Sequence, residues 1–394
     1  MRRELLIAAG PGEWRAALTE DGAAVELYVE RGDCRRAGSI HLGRVVRVAK
    51  SLESAFVDIG DARPGLVPLR EATSAGVALD EGARVLVQVR REAQRDKGAR
   101  LSARIAPREP LSDPAALAER AAPLDPPAQL HPAPGFAASL SLALPGTPDR
   151  VVTDDPGVVP ELRAAFPAAA PAAEPAGDWP LDLDALFADA LAPHLALPGG
   201  GTVHIDEAPA AVLIDVDSGT PEAGSAARVA LAANLDSARL IARQLRLRNL
   251  GGGIVVDFVG LDGHGPRERV REAMTAALAG DPAQPRCLGW TRLGHLEIVR
   301  PYRSRSLAAV LLDPRDAPAP SAATLAFAAL RAVQREARAE PAAQWRLTVT
   351  PSISAVLREA AAGALAALET RLGRPVELTV AEIRDAPSFA IARR

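Results

Sequence analysis

Cysteine, lysine and asparagine are scarce in this chain of 394 residues, and long apolar runs are missing. Cys34 and Cys287 stand far apart and in no Cys-x-x-Cys pattern, which argues against a disulfide framework and a cysteine-based zinc site. No stretch approaches the roughly 18 consecutive apolar residues that a membrane helix needs. The apolar segment before Pro11 is too short for a secretory signal. We therefore expect a cytoplasmic protein without membrane contact.

Basic charge is carried almost entirely by arginine. Of the 46 basic residues all but Lys50 and Lys97 are arginine, and Asn234 and Asn249 are the only asparagines. Such a bias indicates compositional drift, so positions that keep a rare residue are of individual interest. The net charge of −3 does not exclude a nucleic-acid partner, because such binding depends on where charge clusters. Basic residues cluster in 84–104, which is either a binding surface or a solvated edge strand and turn.

The length of the chain exceeds one ordinary core and predicts several domains. Residues 1–36 alternate short strand-like runs with turns. Residues 37–105 hold about five strand candidates with glycines at the turns, which suits a small Greek-key barrel of the OB type. Residues 106–205 are rich in proline and alanine, so we expect connecting and partly extended structure there, with a strand-like run, DRVVTDDP, and a short helix, GVVPELRAAF, within it.

The second half of the chain has a different pattern. Residues 206–312 alternate helix and strand, which is typical of an α/β domain. Residues 313–394 begin with the linker-like segment DPRDAPAPSA. They continue as two predicted helices with two strands, a small α+β unit.

Two aspartates stand one residue apart in the apolar run AAVLIDVDSGT, residues 210–220. Side chains alternate along a strand, so Asp215 and Asp217 share one face near its carboxyl end. A second apolar run, GGGIVVDFVG, carries Asp257 near its end. Because sites in open α/β sheets form at the carboxyl ends of strands, the three carboxylates converge if these strands are neighbours.

Buried carboxylates that lie together repel one another, and a hard divalent cation relieves that cost. Mg²⁺ binds few protein carboxylates and keeps several waters, which leaves room for a phosphate oxygen. The alternative is that the aspartates cap helices or form turns, roles that aspartate favours at the ends of elements. The residues alone leave both interpretations open.

A further basic and aromatic segment follows the second strand. The run RCLGWTRLGHLEIVRPYRSRS places Arg292 and Arg300 near Trp290 and Tyr302. Cations that meet phosphates and rings that stack on bases together suit a nucleic-acid groove.

These motifs resemble the ribonuclease E/G endoribonucleases. The resemblance covers most of residues 1–310 and is carried by VLIDVDSGT, NLDSARLIARQLRLRNLGGGIVVDF, SLESAFVDIGDARPGLVPL, VQVRREAQRDKGARLSARI and residues 292–303. It implies a multidomain α/β fold: a ribonuclease H-like and deoxyribonuclease-like core with an inserted OB-type barrel and a small α+β C-terminal unit. The chain resembles a shortened relative of the ribonuclease G branch.

The resemblance also implies roles for individual residues. Asp215 and Asp257 match the aspartates that bind catalytic Mg²⁺, and Asp217 stands where the family commonly has an asparagine that orients the site. Phe56 and Lys97 match the aromatic and the lysine with which the family's barrel binds single-stranded RNA. We expect three arginines, Arg95, Arg292 and Arg300, to contribute to RNA binding.

Two family features have no counterpart in the sequence. The cysteine segment that links two protomers through zinc is replaced by LLDPRDAP, so we expect no structural zinc and a monomer or a homodimer without a zinc link. The Arg-Thr sensor for a 5′-monophosphate is missing between residues 106 and 154. The predicted function is Mg²⁺-dependent, single-strand-specific cleavage of RNA in rRNA or mRNA processing or decay. The alternative is a non-catalytic RNA-binding regulatory relative, which the retention of both metal aspartates disfavours.

Overall fold

The computed structural model describes residues 2–32, 37–93, 97–105, 114–219, 225–261, 263–313, 319–383 and 388–394. The chain divides into two compact units, which we call the large unit (residues 1–31 and 141–394) and the barrel unit (residues 32–140). The mixed α/β class is confirmed. The finer domain boundaries given above stay predictions. In the described part of the chain, no helix is both long and apolar enough to cross a membrane.

The large unit begins with an antiparallel meander. Its strands are β1 (Arg3–Ala9), β2 (Glu13–Glu20) and β3 (Ala23–Arg31). Three consecutive residues of β1, Leu5, Leu6 and Ile7, are fully buried. A strand that buries consecutive residues is covered on both faces.

The barrel unit follows. Its elements, with a helix at the boundary between the units, are β4 (Ile40–Ala49), β5 (Ser54–Asp58), β6 (Gly65–Pro68), α1 (Leu69–Ser74), β7 (Arg84–Arg91), β8 (Arg100–Ser102), α2 (Pro114–Ala121), β9 (Ala128–His131) and α3 (Phe136–Ala143). The strands run in the order β5-β6-β8-β7-β4, and β4 pairs again with β5. These pairings close a five-stranded barrel around residues such as Val57, Val67 and Val87. A small barrel is thus confirmed, and its assignment to the OB type stays a prediction.

The chain then returns to the N-terminal sheet. The elements of this stretch are β10 (Arg150–Thr153), α4 (Val159–Ala165), β11 (Ala172–Ala173) and α5 (Leu183–Asp189). β10 pairs in parallel with β1, and β11 with β10, in a five-stranded sheet. The strand and the short helix expected in the stretch rich in proline and alanine are confirmed as β10 and α4, and α2, β9 and α3 are additional elements. The larger apolar residues of this stretch, including Val151, Val152 and Leu162, are buried and explain this order, since burial of apolar area stabilises the elements that carry them.

A six-stranded sheet carries the two aspartate strands. Its elements are β12 (His194–Ala196), β13 (Thr202–Glu207), β14 (Val212–Asp217), α6 (Ala226–Leu247), β15 (Gly252–Asp257), α7 (His264–Leu278), β16 (Arg286–Trp290) and β17 (Leu296–Arg300). The strand order is β12-β13-β14-β15-β17-β16, and β14 runs parallel to β15. One face of the sheet packs on α6 and α7, where Ile214 and Ile254 share a core with Ile241 and Val270.

The C-terminal segment adds a three-stranded sheet. Its elements are α8 (Leu307–Leu311), α9 (Ala322–Ala339), β18 (Trp345–Val349), α10 (Pro351–Arg358), α11 (Ala362–Leu372), β19 (Glu377–Val380) and β20 (Phe389–Arg393). The α+β character agrees with expectation, but the second predicted helix is two helices, and β20 was not predicted. The break after Arg358 allows Leu357 of α10 and Leu368 of α11 to enter one core with α9.

Arginines fasten this segment to the first half of the large unit. Among the described residues five ion pairs connect the two parts: Arg331–Glu13, Arg331–Asp184, Arg335–Asp184, Arg338–Asp154 and Arg371–Asp155. Close backbone approach accompanies them, since a Cβ on Gly10 would lie 2.5 Å from Arg331 Cγ. The C-terminal helices therefore pack directly on the turn between β1 and β2.

Glu13 is the centre of this ion-pair network. Its carboxylate is fully buried and accepts hydrogen bonds from Arg15 at 2.9 Å and from Arg31 at 2.7 Å, besides Arg331. Burial opposes ionisation, but the charges of Arg331, Arg15 and Arg31 outweigh it and hold the pKa of Glu13 below its ordinary value of 4.5. A carboxyl whose pKa is lowered by folding stabilises the fold above its unfolded pKa. That contribution is lost as the pH falls through the folded-state pKa.

Glu13→Gln should lower the free energy of unfolding at pH 7 by about 3–5 kcal/mol, because it leaves buried guanidinium groups without their carboxylate. The measurement is urea unfolding of both proteins from about pH 7 down to about pH 3. The difference between wild type and variant should shrink below about pH 4.5, as Glu13 protonates. Glu377→Gln, which removes a half-exposed partner of Arg346, is the matched control and should change stability little. An equal effect of both substitutions would contradict this account.

Candidate functional site

Asp215 and Asp257 lie directly opposite each other on neighbouring strands. β14 and β15 run parallel, and Asp215 pairs in register with Asp257. Val212, Ile214 and Val216 point into the helix-covered core, so both aspartates lie on the other face. Neighbouring strands are about 4.8 Å apart, so the two carboxylates can reach one ion. The two strands are therefore neighbours, which is the condition for convergence of the carboxylates.

The aspartates are exposed, which corrects the expectation of a buried charged strand. Along β14 buried and exposed residues alternate strictly. Leu213, on the aspartate face, is 46% exposed, and the side chain of Asp257 is 58% exposed. Apolar residues dominate the strand because its other face packs on helices. A cation at this pair would therefore relieve the repulsion between two close carboxylates and not a cost of burial.

Asp217 lies on the same face, two residues beyond Asp215. Its Oδ1 accepts a hydrogen bond from the backbone N–H of Gly219 at 2.9 Å. Gly219 has a φ of +68°, and a Cβ there would come 2.5 Å from the carbonyl oxygen of Gly200. Asp217 thus shapes the turn that leaves β14, the alternative role considered for aspartates at strand ends. An asparagine would offer the same acceptor.

His295 was not singled out from the sequence, yet it lies beside Asp257. Its Nε2 is 3.6 Å from Asp257 Oδ2. The hairpin before β17 fixes its position, since Thr291 Oγ1 accepts hydrogen bonds from the backbone N–H groups of Leu293 and His295. The alternation of buried and exposed residues along β17 could have indicated the position of His295. Leu296 is buried, so the preceding residue points to the aspartate face.

Asn234 holds the segment that follows Asp257. This fully buried residue of α6 accepts from Val259 N at 3.0 Å and donates to Val259 O at 2.8 Å. Val259 is two residues beyond Asp257, so α6 is tied to the chain as it leaves β15. The scarcity of asparagine was the sequence signal for this position.

Arg300, expected to bind RNA, is buried in the fold. It is 1% exposed, its Nε donates to Asp281 Oδ2 at 2.6 Å, and its Nη1 donates to Leu250 O at 2.6 Å. The guanidinium joins the end of β17 to the segment after α6. Contact with RNA would require these bonds to break, so the expected role of Arg300 in RNA binding is not supported.

The neighbouring groups of the basic and aromatic segment are more accessible. Arg292 is exposed in the hairpin that carries His295. Tyr302 is 52% exposed and lies over Gly251 and Gly252, where an added Cβ would come 2.8 Å and 2.4 Å from its side chain. The consecutive glycines after α6 therefore make room for this ring.

The donor set at the aspartate pair fits magnesium. Within the described ranges, no group of three or more histidine, cysteine, aspartate or glutamate side chains could hold a metal ion. An ion between Asp215 and Asp257 would thus rest on two carboxylates and water. Mg²⁺ is commonly bound in this way, by one or two carboxylates with several waters retained.

The barrel unit presents a strip of cations and apolar side chains on its outer surface. Phe56 points outward, since its neighbours Ala55 and Val57 are fully buried. The guanidinium of Arg47 lies 4.6 Å from the centre of its ring. In register, Phe56 pairs with Leu66, and Leu66 pairs with Arg100. We call Arg47, Phe56, Leu66 and Arg100 the outer strip.

The two other predicted residues of the barrel unit have different outcomes. Lys97 is exposed, three residues before Arg100 of the outer strip. Arg95 lies outside the described residues. The outer strip thus combines an aromatic ring with nearby cations, which is typical of surfaces that bind single-stranded nucleic acid.

Comparison with known proteins confirms the resemblance stated from the sequence. Residues 180–303 match the model of the ribonuclease E/G family, and this segment contains both Asp215 and Asp257. Ribonuclease E of Synechocystis is 35% identical over 126 residues, 32% of this chain and 19% of the relative. Ribonuclease G of Salmonella typhimurium is 26% identical over 210 residues, 51% of this chain and 42% of the relative.

A longer alignment includes the entire sequence. Ribonuclease E of Haemophilus influenzae is 25% identical over 486 aligned positions, 100% of this chain and 52% of the relative. The chain thus spans about half or less of the length of these relatives.

Asn234→Ala should lower the free energy of unfolding by about 2–4 kcal/mol, because it leaves the N–H and C=O of Val259 without partners. Urea unfolding measures this change. Arg239→Ala, which removes an exposed ion pair with Asp236 on the same helix, is the matched control and should cost about 0.5 kcal/mol or less. If both variants are equally stable, Asn234 does not hold the segment after Asp257.

Proposed function

We propose that the protein is a Mg²⁺-dependent endoribonuclease that hydrolyses single-stranded RNA in rRNA or mRNA processing or decay. Its products would carry 5′-phosphate and 3′-hydroxyl ends. The observation that carries this proposal is the in-register pair of exposed carboxylates, Asp215 and Asp257, in the segment that matches the ribonuclease E/G family. The relatives named above are ribonucleases E and G, which supports the same activity.

The residues around the pair have distinct tasks in this proposal. Asp215 and Asp257 would hold Mg²⁺, which, when bound, activates water and neutralises charge on the scissile phosphate. His295, 3.6 Å from one oxygen of Asp257, restricts the orientation of that carboxylate. Asp217 fixes the turn after β14 through Gly219. Arg292 offers an exposed guanidinium to a phosphate near the same end of the sheet.

RNA binding would use the outer strip of the barrel unit. Phe56 offers a ring for base stacking, while Arg47, Arg100 and Lys97 offer positive charge to the backbone. Leu66 stands beside Phe56 and provides apolar contact without a second ring. This surface recognises single strands because stacking requires bases that are free of a duplex.

A non-catalytic RNA-binding relative is the competing function. Such a protein needs the outer strip but has no use for two exposed carboxylates in register, which repel the phosphates of RNA unless a cation lies between them. The aspartate pair therefore favours the enzyme.

Asp215→Asn and Asp257→Asn should each reduce cleavage of a labelled single-stranded RNA at least about 100-fold, because each removes a charged ligand from the ion. Cleavage by the wild-type protein should require Mg²⁺ and stop with a chelator. Asp206→Asn, an exposed aspartate of the neighbouring strand β13, is the matched control and should keep near wild-type activity. Asp217→Asn should also cleave, since an amide oxygen still accepts from Gly219 N.

Two outcomes of this experiment would refute the proposal. Cleavage by either Asp215→Asn or Asp257→Asn at near the wild-type rate would show that the metal assignment is wrong. An RNA-binding wild-type protein that cleaves nothing with Mg²⁺ would establish the non-catalytic alternative.

Phe56→Ala should weaken binding of a short single-stranded RNA by about 1–3 kcal/mol, the contribution of one stacking ring. Lys97→Ala should weaken binding mainly at low salt, because fewer counterions are released from the RNA. Fluorescence anisotropy at several salt concentrations measures both effects. Arg70→Ala, an exposed arginine of α1 outside the outer strip, is the control. Unchanged dissociation constants for both Phe56→Ala and Lys97→Ala would move the RNA path to another surface.

A further inference from the structure

Two histidines face each other at the edge of the six-stranded sheet, on the two strands that precede the aspartate strands. His194 of β12 pairs in register with His204 of β13. Their ring centres are 4.3 Å apart, with an angle of 44° between the planes. Their Nδ1 atoms are 3.0 Å apart. The sequence contains six histidines, so a contact between two of them is a specific feature of this fold.

We propose that His194 and His204 together bind a divalent transition-metal ion of the class of Zn²⁺, Co²⁺ and Ni²⁺. A bond from such an ion to an imidazole nitrogen is about 2.0–2.1 Å long, so two nitrogens on one ion lie about 2.8–3.0 Å apart at an octahedral angle and about 3.3–3.4 Å apart at a tetrahedral angle. The observed separation of 3.0 Å between the Nδ1 atoms matches the octahedral angle. An ion would replace the hydrogen bond between the two nitrogens after the rings turn their Nδ1 atoms toward it.

Backbone pairing between β12 and β13 holds His194 and His204 side by side before any ion binds. Directly opposite residues of an antiparallel pair hold their Cβ atoms about 4.5–5.5 Å apart, which limits the rotamers that must be fixed on binding. A hydrogen bond between the two rings is the other use of this geometry. On an exposed surface such a bond competes with water and contributes only about 1 kcal/mol. His194 is exposed and His204 is half-buried, so an ion with its own waters can reach both.

Ligand chemistry separates this site from the aspartate pair. Imidazole suits Zn²⁺, Co²⁺ and Ni²⁺, whereas Mg²⁺ prefers oxygen ligands. β13 also pairs with β14 along its other edge, and there His204 is in register with Asp215. The row across the sheet therefore runs from His194 through His204 and Asp215 to Asp257. Two ions of different chemical class would lie side by side on one face.

The test is titration of the full-length, chelator-stripped protein with Co²⁺, followed by calorimetry and visible absorption. Wild type should bind a Co²⁺ ion with a spectrum of nitrogen and oxygen ligation. His194→Gln and His204→Gln should each weaken binding by about tenfold or more, since the loss even of a group that only supports a ligand costs about 10–100-fold. His264→Gln, an exposed histidine at the start of α7, is the matched control and should bind as wild type does. Thermal unfolding of each variant confirms that the fold is intact.

Several results would overturn the inference. They are no Co²⁺ binding by wild type, wild-type affinity for Co²⁺ in His194→Gln and His204→Gln, an equal loss of affinity in His264→Gln, and a sulfur charge-transfer band that places the ion on cysteine. Loss of Co²⁺ in Asp257→Asn but not in His204→Gln would place the ion at the carboxylates. The readout is binding of Co²⁺ without RNA, so a chain that fails to cleave RNA can still pass this test.

Discussion

The parallel pairing of β14 with β15 is the constraint on which the site depends. It sets Asp215 directly opposite Asp257, and the twofold alternation of strands then puts both carboxylates on one face. A shift of one residue in this register would turn Asp257 into the helix-covered core. Burial of Ile214 and Ile254 against α6 and α7 opposes such a shift. Asn234 of α6 adds a second restraint, because it holds the backbone just beyond Asp257 through two hydrogen bonds with Val259.

Arginine builds the scaffold of the large unit as well as its surface. Glu13 is buried among Arg15, Arg31 and Arg331, and Arg300 is buried against Asp281. A planar guanidinium presents several donors in fixed directions, which suits it to buried ion pairs better than lysine. The arginine bias of the sequence therefore has a structural consequence. It joins the C-terminal helices to the N-terminal sheet and leaves Arg292 and the arginines of the outer strip exposed.

Much of the site could be predicted where local pattern decides. The ends of two apolar runs predicted that Asp215 and Asp257 lie at the ends of strands. Short strand candidates separated by glycine turns predicted the barrel. Exposure of the aspartates could not be predicted, because the sequence does not state which sheet face the helices cover. Arg300 was expected to bind RNA because it is close to aromatic residues in the sequence. Alternation along β17 instead puts its side chain on the buried face, with Leu296 and Ile298. The facing pair of His194 and His204 required knowledge of strand pairing, which three-residue strands such as β12 do not reveal.

The central claim is that Asp215 and Asp257 share one metal ion. Electron paramagnetic resonance of Mn²⁺, which takes the same oxygen ligands as Mg²⁺, tests it most directly, since bound Mn²⁺ loses the signal of the free ion. The account predicts that wild type and Asp206→Asn bind Mn²⁺ and that Mg²⁺ displaces it. It predicts that Asp215→Asn and Asp257→Asn each lose this ion. Retention of the bound ion in both of these variants would contradict the account.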